Sequence, residues 1–240
     1  MVFRAYNSAN REVRGTLAAS ATPRTRRFAV HEIMEKIYYH RDLPHYQPSC
    51  ATFFVTYRLA GSLPVTVINT LKQEFRQQCQ EIQKNGNPRP SQKEAIYIQR
   101  KRYFAKFDEH LHRNMNEPYW LRDENIAKIV SDSLHLLAQE YFDLWVYCIM
   151  SNHVHLLISF FPTAPRLYKV MQKHKSFTAH KGNKVLQRSG QFWAHESYDH
   201  VVRRDGEFGR ILAYILNNPV KAGLVEDWQA WQGSYLHPKL

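Results

Sequence analysis

The chain of 240 residues is 44% hydrophobic and 22% charged, a composition typical of globular proteins that excludes an intrinsically disordered one. Three widely spaced cysteines without a CxxC pair argue against a disulfide framework or a cysteine zinc site, and no apolar run approaches the ~18 residues of a membrane span. The 33 lysines and arginines against 21 aspartates and glutamates give a net charge of +12, which favours polyanionic partners, nucleic acid first.

Residues 1–40 are predicted to form a basic N-terminal arm or extension. Seven of the ten residues from Thr16 to Thr25 are Ala, Ser or Thr, and arginines recur along the segment, as in a poorly packed chain. The stretch HEIMEKIYY at 31–39 also permits a short helix. Because the polar start has no apolar core of a signal peptide, we expect a cytoplasmic protein, with residues 41–240 forming a single domain.

The next predicted elements are one strand and three helices. ATFFVTYRL at 51–59 is rich in β-branched and aromatic residues, which predicts a strand. Apolar residues at helical spacing predict helices at 64–84 and 123–140, and a third helix is predicted at 91–110 from the form of its first residues. Ser91 with Glu94 has the form of a capping box, and Asp123 is a suitable first residue for the third helix.

The centre of the chain is predicted to be a β-hairpin, since DLWVYCIM and HVHLLISF are apolar strands on either side of Ser151-Asn152. A helix at 164–181, a loop at 182–204 and a last helix at 205–217 follow, and Pro219 ends the last one. The elements do not repeat as regular βαβ units, so their order predicts an α+β fold with an antiparallel sheet.

The second strand of this hairpin carries a histidine pair. Side chains alternate along a strand, so His153 and His155 project from one face, while Val154 and the apolar residues after it project from the other. The histidines therefore stand together, away from that core face, with their side-chain bases roughly 6–7 Å apart. Two imidazoles at this spacing can bind one metal ion if a further ligand is present, whereas hydrogen-bonded or exposed histidines are the alternative.

The last predicted helix places Tyr214 and Asn218 one turn apart on the same face. A tyrosine beside an oxygen ligand would present a hydroxyl nucleophile next to a bound cation. The alternative is a half-exposed tyrosine and an asparagine that caps the helix before Pro219.

A basic segment lies between these two motifs. From Phe160 to His195 the chain has seven lysines and arginines and no aspartate or glutamate, which favours contact with phosphates over a solvated face. Trp193 could stack on an unpaired base, although a core position is the alternative. The candidate DNA-binding residues are Arg166, Lys169, Lys173, Lys175, Trp193, Arg203 and Arg204.

The order of these stretches carries a family resemblance. SNHVHLL, followed about sixty residues later by YILNNPVKAGLV, resembles the single-tyrosine HUH transposases (HUH: His–hydrophobic–His), most of all the REP-associated tyrosine transposases. LPHYQPSCATFFVTYRLAGSLP, HKSFTAHKGN and GQFWAHESYDHVVR extend the resemblance over roughly residues 40–225. Ser151 stands where relatives commonly have proline, a difference that alters the turn and not the histidines.

The resemblance implies a ferredoxin-like antiparallel sheet with helices packed on it, extra N- and C-terminal segments, and a catalytic domain at 41–240. It implies that His153 and His155 form a metal-binding pair, that Asn218 is the third ligand and that Tyr214 is the nucleophile. The implied cofactor is Mg²⁺ or Mn²⁺, which would polarise the scissile phosphate.

The implied function is a DNA strand transferase, a monomer or homodimer without membrane contact. It would cleave and rejoin single-stranded DNA that forms hairpins in repetitive palindromic elements, through a 5′-phosphotyrosine. One alternative is a sequence-specific DNA-binding protein on the same scaffold that no longer cuts. Another is an unrelated metal-dependent hydrolase that uses the histidine pair.

Overall fold

The computed structural model describes residues 38–40, 44–84, 88–113 and 118–240, so the predicted arm lies outside the described residues up to position 37. The strands are β1 (Tyr38–His40), β2 (Pro44–Tyr46), β3 (Thr52–Leu59), β4 (Phe142–Ile149), β5 (His153–Phe160), β6 (Trp193–Val201) and β7 (Ser234–Leu236). The helices are α1 (Val65–Lys84), α2 (Arg89–Arg113), α3 (Glu124–Ala138), α4 (Leu167–Val185), α5 (Glu207–Leu216) and α6 (Asn218–Lys221).

One antiparallel sheet organises the chain from β3 onward, in the strand order β6-β3-β5-β4-β7. Its first four strands and the helices between them have the β-α-β-β-α-β connectivity of a ferredoxin-like fold. Helices α1 and α2 form an additional helical hairpin between β3 and α3. The structure thus confirms the predicted α+β class and its antiparallel sheet.

Both faces of the sheet are covered by helices. Alternate side chains of its strands belong to two separate hydrophobic cores, one on each face. Odd positions of β3, together with Val154 and Leu156 of β5, pack under α3 and α4. Phe54 and Leu157 point to the opposite face, where α1, α2 and α5 cover them. The face of His153 and His155 is therefore a second interior and not the open surface that the alternation alone suggested.

Several predicted boundaries change in the structure. Asp123 caps α3 as predicted, since its side chain accepts bonds from the backbone N–H groups of Asn125 and Ile126. Ser91 is not a cap, because α2 begins at Arg89 and the Ser91 hydroxyl donates to the Pro88 carbonyl at 2.8 Å. Tyr38 and Tyr39, the end of the stretch that permitted a short helix, lie in β1.

The prediction of a loop at 182–204 was wrong, because this segment contains strand β6. Polar and charged side chains interrupt the alternation of this segment, and its strand conformation comes from antiparallel pairing with β3, from Phe53–Val201 to Thr56–Tyr198. His45 of β2 forms hydrogen bonds with Glu196 and Asp199 of β6, which lie 151 and 154 residues further along the chain. The local sequence pattern therefore could not predict this strand.

His45 makes the folded state sensitive to alkaline pH. Burial opposes its protonation, but hydrogen bonds to Asp199 and Glu196 prevail and raise the pKa of His45 from 6.5 to about 9. A raised pKa adds stability that is complete below about pH 6.5 and is lost as the pH rises through about 9. We expect the free energy of unfolding, measured in urea, to fall by about 3 kcal/mol across this window. The His45→Gln variant should lack this step; parallel profiles for both proteins would contradict the assignment.

Candidate active site

The histidine pair is buried in the second interior with its ring nitrogens converging. His153 and His155 are 1% and 0% exposed, and their Nε2 atoms are 3.0 Å apart. The other ring nitrogen of each histidine, Nδ1, is hydrogen-bonded on the far side of the ring. His153 Nδ1 pairs with Asn152 Oδ1 at 2.6 Å, and His155 Nδ1 pairs with Thr56 Oγ1 at 2.7 Å. Because both Nδ1 atoms are engaged on the far side, both Nε2 atoms face the same space, the orientation of metal-binding histidines.

Helix α2 brings two further side chains that can donate a ligand atom to a metal next to this pair. Asp108 and His112, one helical turn apart, reach the histidines from the helical hairpin. Asp108 Oδ1 lies 3.2 Å from His155 Nε2 and 3.8 Å from His153 Nε2. One ligand atom from each of Asp108, His112, His153 and His155 lies within 4.8 Å of the others. We call these residues the four-donor cluster.

The four-donor cluster fits a divalent metal ion. Three ligand atoms, Asp108 Oδ1 and both ring nitrogens of His112, are buried and have no hydrogen-bond partner among the described residues. Such atoms are rare unless a ligand satisfies them. Two ligands at a right angle on one ion, each about 2.1 Å away, would be about 3.0 Å apart, as the two Nε2 atoms are. Burial and the neighbouring His155 hold the pKa of His153 well below its usual range, so this ring stays neutral, as a ligand must.

Tyr214 of α5 lies at the four-donor cluster. Its hydroxyl donates to Asp108 Oδ2, and its ring centroid is 5.6 Å from that of His155. Asp108 therefore uses one carboxylate oxygen toward the histidines and the other toward the tyrosine. Burial, followed by the negative charge of Asp108, raises the pKa of Tyr214 above its usual range, so its hydroxyl holds its proton firmly in this arrangement.

Asn218, predicted as the third ligand, is adjacent to both groups. Its Nδ2 donates to the Tyr214 carbonyl at 2.9 Å, and its side chain lies beside His112 and the tyrosine hydroxyl. Its Oδ1 is buried and has no hydrogen-bond partner in the part of the chain that the structure describes, so it is a fifth atom that could ligate a metal at the cluster. Asn217 lies between α5 and α6, and Asn218 is the first residue of α6, directly before Pro219, which has no N–H.

Sequence reasoning missed Asp108 and His112. The only local signal is their i, i+4 spacing in DEHLH, because α2 is polar and its pattern does not show which face it buries. The contact becomes visible only when the helical hairpin folds back over β5.

The predicted DNA-binding residues of α4 lie on the other face of the sheet. Lys173 donates to the Tyr141 hydroxyl at 3.3 Å. Lys175 ties α4 to β6, since its ammonium donates to the Ala194 carbonyl at 2.6 Å. Trp193 is 5% exposed and its indole N–H donates to Thr178 Oγ1, so in this conformation it is a core residue and not a platform for a base.

Two further predicted DNA-binding residues flank the start of α5. The Arg203 guanidinium lies 4.6 Å from the Tyr46 ring, and Arg204 forms an exposed ion pair with Glu94. Arg166 precedes α4 and Lys169 lies in its first turn. The assignment of these residues to DNA contact stays a prediction.

Glu207 fixes the start of the helix that carries the tyrosine. It is 2% exposed and accepts hydrogen bonds from Lys101 Nζ at 2.7 Å, the Tyr97 hydroxyl at 2.9 Å and the Arg203 backbone N–H at 3.0 Å. Burial alone would raise the pKa of Glu207, but these donors prevail and lower it.

The Glu207→Gln variant is expected to lose on the order of 2 kcal/mol of unfolding free energy at neutral pH, because it leaves Lys101 without its counterion. A lowered pKa contributes stability above about pH 4.5 that disappears as the pH falls, so the difference should shrink in acid. Urea titrations at neutral and acidic pH measure it, with exposed Glu226→Gln as the matched control. An equal loss at both pH values would contradict a role for the charge.

Comparison with known proteins agrees with this geometry. Residues 101–218 match the family model described as "Transposase IS200 like", a segment that contains the four-donor cluster, Tyr214 and Asn218. This segment is therefore similar to the IS200-like transposase family. The chain is also similar to a Haemophilus influenzae protein described as a REP-associated tyrosine transposase, 28% identical over 106 residues. That match covers 40% of this chain and 60% of the relative, so it spans less than two thirds of the relative's length.

Two solved structures resemble the fold at low identity. A REP-associated tyrosine transposase bound to a REP hairpin is 14% identical, with a TM-score of 0.49 over 82% of this chain and 80% of its own. A bacterial tRNA(His) guanylyltransferase-like protein in complex with GTP is 13% identical, with a TM-score of 0.37 over 84% and 66%. Among the described residues, no helix is both long and apolar enough to cross a bilayer.

Proposed function

We propose that this chain is a metal-dependent strand transferase that cleaves and rejoins single-stranded DNA containing hairpins, with Tyr214 as the nucleophile. One observation carries the proposal: the Tyr214 hydroxyl is bound to a buried carboxylate that also faces the His153–His155 pair. A nucleophile, a proton acceptor and a metal-binding pair are thereby in mutual contact.

Asp108 has two roles in the proposed reaction. Its Oδ2 accepts the phenolic proton as the tyrosine oxygen attacks phosphorus, and the proton then passes to the leaving 3′ oxygen. The P–O3′ bond breaks as the bond from phosphorus to tyrosine forms, which leaves a 5′-phosphotyrosine and a free 3′-OH. Attack of a 3′-OH on the phosphotyrosine reverses the step and rejoins the strand.

The metal would be held by His153, His155 and Asp108, with His112 or Asn218 completing the site. When bound, it supplies Lewis-acid polarisation of the scissile phosphate and stabilises the charge that develops there. The donor set is rich in imidazole, which suits Mn²⁺ better than Mg²⁺, an ion that prefers oxygen ligands. Of the two expected ions, Mn²⁺ is therefore the proposed cofactor.

Single-stranded DNA is the proposed substrate because charge and geometry both favour it. The net charge of +12 attracts polyanions, and Lys221 lies 6.0 Å from the Tyr214 ring, on α6, where it can pair with an incoming phosphate. The similar H. influenzae protein is described as REP-associated, which favours hairpin DNA as the substrate.

The test incubates the protein with labelled stem-loop DNA carrying single-stranded tails and Mn²⁺ or Mg²⁺. A covalent protein–DNA adduct that survives denaturation and disappears with EDTA is the expected result. DNA binding without an adduct under any metal would favour the non-cutting DNA-binding protein instead. An adduct that forms equally well in EDTA would remove the metal from the proposal.

A further inference from the structure

A cavity of about 320 Å³ lies next to the four-donor cluster, between β3, β6 and the helical hairpin of α1 and α2. Its volume is at the lower end of small-ligand sites, large enough for a nucleotide base with part of its backbone. Thr56, which lines the cavity, is the residue that holds His155 from behind. Phe104, also in the lining, has its ring centroid 6.2 Å from that of Tyr214. The cavity thus begins one side chain away from the proposed reacting groups.

Arg58 supplies a cation at the wall of this cavity. It pairs in register with His153 across β3 and β5, so their side chains are neighbours on the same face. Arg58 is half-buried, and no carboxylate in the described part of the chain pairs with it. Within the described residues its guanidinium donates to the Leu59 carbonyl and to Ser62 Oγ, each at 3.2 Å, and lies 5.7 Å from the centroid of the Phe107 ring. A half-buried cation without a counterion is costly unless a ligand brings the anion.

The remaining lining suits a base. Tyr103 stacks on Phe107 and Phe104 stacks on Tyr198, with ring centroids 6.0 Å and 4.1 Å apart, so aromatic faces cover one side. Among the described lining residues the one carboxylate is Glu196, and its Oε1 is bound by His45 at 2.8 Å. Aromatic faces beside a cation are the arrangement with which proteins bind unpaired bases and their phosphates.

We infer that this cavity binds one nucleotide of the single strand beside the scissile phosphate, with Arg58 on the phosphate and the Tyr103–Phe107 side of the cavity against the base. The inference rests on the proposed function, since it is that function which brings a single strand to Tyr214. It assigns a role to TYRL, a stretch of the family resemblance that contains neither a predicted ligand nor the nucleophile.

The first experiment measures binding in the Tyr214→Phe background, where cleavage cannot interfere. The probe is a fluorescent stem-loop DNA with an oligo(dT) tail. Adding Arg58→Ala should weaken binding about 5- to 150-fold and reduce the slope of log K against log salt by about 0.7, the value for one phosphate contact on a single strand. Arg58→Lys should recover only part of the affinity, because a lysine has no bidentate fork. The matched control is Arg76→Ala, an exposed arginine of α1 outside the cavity, which should bind like the parent.

A second measurement needs no change at Arg58 and so does not depend on how that variant folds. Tail thymines are replaced one at a time by 5-iodouracil and photo-crosslinked, and the modified peptide is identified by mass spectrometry. One position should crosslink to the segment from Tyr103 to Phe107. Crosslinks that avoid this segment at every position, or an Arg58→Ala protein that melts normally and binds like the parent, would overturn the inference. Adduct formation by the wild type is scored separately: its absence, with the Arg58 effect and the crosslink intact, would refute strand transfer and leave the nucleotide site standing.

Discussion

The Tyr214→Phe variant is expected to form no covalent adduct with stem-loop DNA while binding that DNA as the wild type does. Phenylalanine removes the one atom that would attack phosphorus and leaves the ring in its contacts with Phe54 and Phe104. We expect a loss of at least about 1,000-fold in the rate of adduct formation, measured on denaturing gels.

The control for this variant is Tyr235→Phe, which removes a hydroxyl from the edge strand β7, across β4 from the histidine strand. It should react at the wild-type rate. If an adduct persists in Tyr214→Phe, the nucleophile is another residue, and peptide mapping of the adduct would identify it. If Tyr214→Phe loses DNA affinity as well, the tyrosine contributes to binding and its role in chemistry is not isolated.

The Asp108→Asn variant is expected to weaken Mn²⁺ binding by at least about 100-fold, because it removes the one negative charge among the four donors. The change keeps the shape of the side chain, and titration of metal into the DNA-free protein measures it without any reference to activity. Adduct formation should fall by at least the same factor, since the proton acceptor of Tyr214 is lost too.

Two comparisons make the Asp108 experiment specific. Glu109→Gln removes a neighbouring exposed charge that pairs with Arg113, and it should leave Mn²⁺ affinity unchanged. Asn218→Ala tests the ligand set that the family resemblance implied, and we expect a smaller loss than for Asp108→Asn. If Asn218→Ala abolishes metal binding and Asp108→Asn does not, the ligand set of two histidines and Asn218 is correct, and Asp108 serves only the tyrosine.

The active site divides into residues that the sequence could indicate and residues that it could not. His153 and His155 share a face because a strand has a period of two, and Tyr214 and Asn218 share a face because a helix has a period near 3.6. Local periodicity places each pair correctly but says nothing about the distance between the pairs. Their common order with a known family supplied that link.

The contribution of α2 could not be predicted in the same way. Its residues are mostly polar, so no apolar stripe indicates that Asp108 and His112 face inward. The same limit applies to β6, where Glu196 and Asp199 obscure the alternation because their partner, His45, lies far away in sequence. In each case a polar side chain faces an element that is distant in sequence, and such contacts leave no local pattern.

The sequence by itself determined the α+β class, the histidine hairpin, the tyrosine helix and the basic character of the chain, since all of these follow from local periodicity and composition. Only the tertiary structure decided that the histidine face is an interior, that Asp108 joins Tyr214 to the histidine pair and that Arg58 faces a cavity. The physical reason is the helical hairpin of α1 and α2, which folds over the sheet and brings its own polar side chains to the histidines.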